Sequence, residues 1–184
     1  MYFLFISLIL LKEGKTFKNI KFAFSIMIIV FLLSSCDSKI HKEVNEVIQK
    51  DQTVNRLSEY EDDTIYGVYH VTDGKKEECI QLVSQKGFVD EIKMMVIIDF
   101  KEDEIKEIKI LSHNESQDYG ALLTEKWFLE RFKGRETDDI LNVVKMSAKE
   151  ESQIVAITGA TITSEGVVKG VNQCINNYKR VKGE

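Results

Sequence analysis

The stretch Ile92-Lys93-Met94-Met95-Val96-Ile97-Ile98-Asp99-Phe100 constrains the fold more than any other part of the chain. It is almost wholly apolar. After the charged quartet Lys101-Glu102-Asp103-Glu104 comes a second β-rich stretch, Ile105 to Leu111. Two such runs around a short polar connection read as a tight antiparallel hairpin. In the second run Ile105, Ile108 and Ile110 are set among Glu and Lys, so one side of the hairpin is expected to be packed and the other wet.

Further strand signals lie on either side. Ile65 to Val71 and Cys79 to Ser84 are rich in β-branched and aromatic residues, and Asp73-Gly74 and Lys86-Gly87 interrupt the series as turns do. Ile140 to Met146 and Gln153 to Ile157 read as two more strands. A helix is expected from Thr124 to Lys133, with Thr124 as N-cap, Gly134 as a left-handed C-cap, and Trp127, Phe128, Leu129 and Phe132 as its buried stripe. A second helix is expected from Ser164 to Tyr178, with Val167, Val168, Val171, Cys174, Ile175 and Tyr178 on one face. Strands and helices do not alternate strictly. The expected class is therefore α+β, an antiparallel sheet with flanking helices, and not a doubly wound parallel sheet.

The first 35 residues read as an address. Lys12, Lys15, Lys18 and Lys21 precede the apolar run Phe22 to Leu33, which ends in Leu33-Ser34-Ser35-Cys36; another apolar run, Met1 to Leu11, comes before the lysines. The run from Phe22 falls short of the ~20 residues that span a bilayer, and basic residues followed by a short apolar core are the order of a secretory signal. Leu-Ser-Ser-Cys resembles the bacterial lipobox, which implies cleavage before Cys36 and lipidation of its sulfur, anchoring the protein at the outer face of the cytoplasmic membrane. The expected organisation is a signal peptide at 1–35, a lipid-anchored tether with a short helix at 36–63 (Ile40, Val44, Val47 and Ile48 at helical spacing), and one domain at 64–184.

The 25 basic and 30 acidic residues are interspersed, so no basic stripe exists to neutralise a nucleic-acid backbone. Cys36, Cys79 and Cys174 form no CxxC pair, and His41, His70 and His113 are scattered singly, so no metal site is expected.

Chemistry concentrates between the last expected strand and the last expected helix, in Thr158-Gly159-Ala160-Thr161-Ile162-Thr163-Ser164. A small-residue loop opening a helix offers backbone N–H groups and the positive end of the helix dipole to an anion. Gly159 and Ala160 allow close approach, and the hydroxyls of Thr158, Thr161, Thr163 and Ser164 can bond phosphate oxygens or be esterified by phosphate. Ser and Thr before a helix also serve as N-caps without any ligand, so the residues alone leave both readings open.

Ile157-Thr158-Gly159-Ala160-Thr161-Ile162-Thr163-Ser164, followed by Val167 and Val168, resembles the signature of the FMN-binding domain family. That family includes flavin-carrying components of the Rnf electron-transport complex and of the sodium-translocating NADH:quinone reductase. Ile108 to Ser116, Gly120-Ala121, Trp127-Phe128 and Phe132-Lys133-Gly134 are similar to the family's central stretch, in the same order, so the resemblance runs from about Ile65 to Tyr178. Two departures stand out. Val155 occupies the place of a usual acidic residue, and Ser116-Gln117-Asp118-Tyr119-Gly120 replaces the family's Thr-Pro-Gly-Leu-Gly turn.

The resemblance implies FMN attached by a flavin transferase through a phosphoester to Thr161, with Thr158, Gly159, Ala160, Thr163, Ser164, Gly120 and Tyr119 around it. Tyr119 is suited to stack on the flavin ring. It further implies an electron-transfer component, not a stand-alone enzyme, with no catalytic side chain of its own, passing electrons from a membrane donor to an extracytoplasmic acceptor. The alternatives are a non-redox lipoprotein that binds FMN or another phosphate ligand reversibly, a structural module in which this loop only caps a helix, and an extracellular flavin-dependent reductase, which would need a substrate pocket.

Overall fold

A computed structural model describes residues 40–184; the segment 1–35 expected to be a signal peptide, and Cys36, lie outside the described residues. Strands β1 (Thr53–Arg56), β2 (Ile65–Thr72), β3 (Glu77–Lys86), β4 (Glu91–Asp99) and β5 (Glu104–Ser112) pair in sequence order as one antiparallel sheet. The domain is thus an α+β domain built on an antiparallel sheet with few flanking helices.

The expected hairpin is β4 and β5. Asp99 Oδ1 accepts the N–H groups of Lys101 (2.8 Å) and Glu102 (3.1 Å), and Asp103 takes the left-handed conformation (φ 54°) that closes the turn. Ile97 faces Glu107 while Ile98 faces Ile105, so Lys106 is an extra, bulged residue. The bulge is why Ile105 shares a face with Ile108 and Ile110 despite the odd spacing.

The expectation of a wet face holds on β5, where Lys106 and Glu107 are exposed, but is overturned on β4. Ile92, Met94, Val96 and Ile98 of β4 pack with Cys79 and Val83 of β3 in one apolar cluster, and Met95 and Ile97 pack with Ile80 and Leu82 in another on the opposite face. The second face is closed by the short helix α1 (Lys42–Asn45), whose Val44 is fully buried, and by Ile40, Val47 and Ile48. A strand buried on both sides has no need of polar alternation, which accounts for the unbroken Met94–Ile98 run. Residues 40–63 therefore pack on the sheet or, as β1, extend it.

The connection after β5 is less helical than its composition suggests. A 3-10 turn, Gly120–Thr124, leads to a single α-turn, α2 (Lys126–Leu129), and Thr124 does not cap it; its hydroxyl donates to Ala121 O (3.0 Å). Phe128 and Phe132 are fully buried, but Trp127 faces outward. The helix stops because β5 captures the following backbone: Gly134 N–H donates to Ile105 O and Ile105 N–H to Arg135 O, both at 2.8 Å. The next two expected strands shrink to β6 (Asn142–Val144) and β7 (Gln153–Val155), a parallel pair separate from the main sheet.

The last helix, α3 (Thr161–Lys182), lies across the sheet face formed by the first cluster. It starts three residues before the expected Ser164 and continues past Tyr178, ending at Gly183 in the left-handed conformation (φ 86°). Polar staples orient it. The Asn172 side chain bonds both the N–H and the C=O of Leu141 (2.9 and 2.8 Å), just before β6. On the sheet, buried Gln81 donates to Cys174 O (2.8 Å) and accepts from Asn177 Nδ2 (2.9 Å). Asn177→Leu leaves the buried Gln81 carbonyl unpartnered, so the unfolding free energy in urea melts is expected to fall by about 1–3 kcal/mol; an unchanged midpoint would count against the staple.

Candidate functional site

The turn between β7 and α3 gathers most of the residues expected from sequence. Ala156 and Ile157 are buried, the chain turns at Thr158-Gly159, and Ala160 N–H donates back to Ile157 O (2.9 Å) before the helix begins. Gly159 has a φ of +81°, and a side chain there would lie 2.7 Å from the ring of Tyr119. Glycine is needed for both reasons. Tyr119, 54% exposed, thus lies against the loop, while Gly120 is buried beside it and donates its N–H to Ser116 Oγ (3.1 Å).

The hydroxyls of this segment divide into two groups. Ser164 Oγ accepts the Ile157 N–H (3.0 Å) and donates to Ala160 O (2.9 Å), so it is buried and fully used. Thr163, 1% exposed, donates its hydroxyl to Glu115. Thr158 is exposed and Thr161 half-buried, and neither hydroxyl is hydrogen-bonded among the described residues. The first helical bond runs from Ser164 N–H to Ala160 O (3.0 Å), so the amides of Thr161, Ile162 and Thr163 precede the helical ladder, and no side chain caps them. Unclaimed amides at the positive end of a long helix favour an anion beside Thr161.

Glu115 joins the segments of this site in a way that its place in the sequence did not reveal. The side chain is 6% exposed and forms no ion pair among the described residues. Its carboxylate accepts the N–H groups of Val89 (2.9 Å), Phe88 (3.2 Å) and Asp90 (3.4 Å) in the β3–β4 turn, together with the Thr163 hydroxyl. A Cβ at Gly87 would meet Glu115 Oε1 at 2.5 Å, so that turn needs glycine to admit the carboxylate. Burial pushes the Glu115 carboxyl up, but the hydrogen bonds from Thr163 and the three amides outweigh it and hold the group below its ordinary value.

Val155, the departure from the family pattern, ends β7. Its carbonyl accepts a hydrogen bond from Arg131, whose guanidinium lies 4.8 Å from the Trp127 ring centre and has no carboxylate partner among the described residues. Phe88, Val89 and Ile162, exposed by 62%, 55% and 52%, sit with Tyr119 on the segments that meet at Glu115 and Gly159. The site therefore combines amide donors, a reachable hydroxyl and an apolar rim. Among the described residues no group of His, Cys, Asp and Glu could hold a metal.

Because the folded Glu115 carboxyl titrates below its unfolded counterpart, its stabilising contribution is complete above the unfolded value and is lost as pH falls through the folded one. Chemical denaturation followed from neutral pH to below pH ~4 is expected to show a smaller acid-induced loss of stability in Glu115→Gln than in the wild type.

Comparison with known proteins agrees with this geometry. Residues 87–176 match the FMN-binding domain family. The chain is 34% identical over 98 residues to the G component of the proton-translocating ferredoxin:NAD(+) oxidoreductase complex of Clostridium ljungdahlii, covering 53% of this chain and 51% of that protein. It is 36% identical over 96 residues to the G component of the Na(+)-translocating complex of Acetobacterium woodii, covering 52% of this chain and 45% of that protein. The chain thus spans about half the length of the curated relatives it matches. Among solved structures, the C component of the Na(+)-translocating NADH-quinone reductase of Parabacteroides distasonis superposes with a TM-score of 0.56 at 19% identity, covering 79% of this chain and 86% of that one. Shewanella oneidensis NqrC gives 0.56 at 16% identity, with 79% and 91% covered. These two likenesses speak to the fold alone. The match from 87 to 176 takes in Glu115, Tyr119 and the start of α3, so this segment of the chain is similar to the FMN-binding domain family.

Proposed function

We propose that this protein is a membrane-anchored flavoprotein that holds FMN at the start of α3, esterified through its phosphate to Thr161, and relays electrons outside the cytoplasm. The observation that carries the reading is the division of the hydroxyls. Thr163 and Ser164 are buried and committed, whereas Thr161 is half-buried, unpartnered and adjacent to the uncapped amides.

The residues present fit the group. The amides of Thr161, Ile162 and Thr163 would hold phosphate oxygens, Gly159 and Ala160 keep the approach free of side-chain bulk, and Tyr119, Phe88 and Ile162 offer apolar surface for the ring. Attachment requires an activated donor, a flavin dinucleotide handled by a flavin transferase. Thr161 Oγ1 forms the new O–P bond, the pyrophosphate bond breaks, a nucleoside monophosphate leaves, and the hydroxyl proton passes to a base of the transferase, with no change in oxidation state. When bound, FMN supplies reversible electron transfer; the chain's tasks are to tether it, shield it and face a partner.

The relatives' descriptions as components of ion-translocating ferredoxin:NAD(+) oxidoreductase complexes support membrane redox partners for this chain; an extracytoplasmic acceptor follows from the expected lipid anchor at Cys36. A lipid at Cys36 would supply the membrane attachment, and no helix among the described residues is long and apolar enough to cross a membrane. Val155 in place of the usual acid favours a second reading, reversible binding of FMN as a receptor or sensor.

Protein produced with a flavin transferase and run on a denaturing gel separates the two. A fluorescent band in the wild type, lost in Thr161→Ala and at least partly kept in Thr163→Ala, is the expected result. A dark wild-type band beside native protein that still binds FMN would favour the reversible reading.

A further inference from the structure

We propose that Glu115 is the positioning residue that selects Thr161 over Thr163 as the attachment point for phosphate, an inference that rests on the covalent reading above. Thr161 and Thr163 differ by two helical positions, about 200° around the axis, so they face opposite ways. Which one meets an incoming phosphate depends on the rotational phase of the first turn of α3. That phase is not set by a cap, because Ala160 contributes no side-chain bond and Gly159 before it is in the left-handed conformation. It is set by Ser164, bonded to Ile157 and Ala160, and by Thr163, bonded to Glu115.

Glu115 is well placed to fix a phase. The amides of Phe88, Val89 and Asp90 grip the carboxylate, and the Glu115 N–H donates to His113 Nδ1 (3.3 Å). Asn114 beside it donates to Asp90 Oδ2 (2.8 Å), tying the same two segments a second time. Glu115 therefore moves only if the β3–β4 turn moves. By holding Thr163 inward it leaves Thr161 on the reachable side.

Charge acts in the same direction. Esterification of Thr163 would replace its O–H donor with an anion in contact with a buried carboxylate that has no cationic partner among the described residues. An anion on the Thr161 side meets uncapped amides instead.

The test is the position of the flavin. Full-length protein made with a flavin transferase is digested, and the modified peptides are sequenced by mass spectrometry. The wild type is expected to carry flavin on Thr161 only, and Glu115→Gln, which keeps the side-chain shape and an acceptor oxygen, to retain that site. In Glu115→Ala, occupancy at Thr161 is expected to drop about tenfold or more, as misplacement of a reacting group does. Thr161→Ala/Glu115→Ala is expected to show label on Thr163, absent from Thr161→Ala alone.

Full occupancy at Thr161 in folded Glu115→Ala overturns the proposal. Should that variant fail to fold, Thr163→Val breaks the same contact from the helix side, and undiminished occupancy there overturns it equally. Amide exchange on the flavin-free protein separates this inference from the one beneath it. A wild type without covalent flavin sinks the attachment reading, whereas unchanged exchange at Val89 and Ser164 in Glu115→Ala sinks the positioning contact itself.

Discussion

A buried carboxylate held by dipoles and not by a counter-ion joins the three segments that form the site. Glu115 bonds the β3–β4 turn through three amides and the start of α3 through Thr163, while its own backbone belongs to the loop that leaves β5. An unpaired buried anion is costly, and here four donors offset that cost. The arrangement works in one direction only. Removing the carboxylate strands three amides, each worth on the order of 1–3 kcal/mol if left without a partner, so the geometry of the turn and of the helix start stand or fall together.

This hub needs a stiff support, and the sheet provides it by being buried on both faces. One face carries α3; the other is closed by Val44 and its neighbours. Apolar packing is non-directional and would let a helix slide along a flat sheet. The Gln81, Cys174 and Asn177 bonds resist that slide in the middle of α3, and at its far end Asp103 accepts from Tyr178 (2.6 Å) and Lys182 (2.8 Å). Lys182 and Tyr178 hold the Asp103 carboxyl below its ordinary value, so this lock is charged at neutral pH. With the helix fixed at its middle and at its C-terminus, the small contacts at its N-terminus can decide which threonine is presented.

Much of this was legible in the residues, and what was not has a physical reason. The β4–β5 hairpin, the α3 face and the loop at Thr158–Ser164 rest on local patterns, and local patterns survive folding. The second face of β4 was misread because α1 and its flanks carry only a few apolar residues in a polar segment; their burial depends on β3 and β4, which sequence does not place next to them. The helix expected from Thr124 failed for a related reason, since pairing of Gly134 and Arg135 with Ile105 overrode a good helical pattern. Glu115 was invisible as a hub, because an acid in a polar loop looks the same whether it faces water or four donors. Tyr119 and Gly159, forty residues apart, each had a local reading, but their contact did not.

The exposed rim follows from the same hub. Phe88 and Val89 stand out from the surface because their amides are turned toward Glu115, which directs the side chains of so short a turn outward. Ile162 points out because Thr163 and Ser164, its neighbours on the helix, point in. The Tyr119 ring lies close against Gly159, a residue with no side chain to push it away. A few large apolar groups exposed on an otherwise charged surface are ordinary when scattered, but these lie on segments that converge on the unclaimed amides of α3. In the proposed reading, the carboxylate that excludes anions from the Thr163 side also raises the apolar surface beside Thr161, so phosphate site and ring site are set by one interaction.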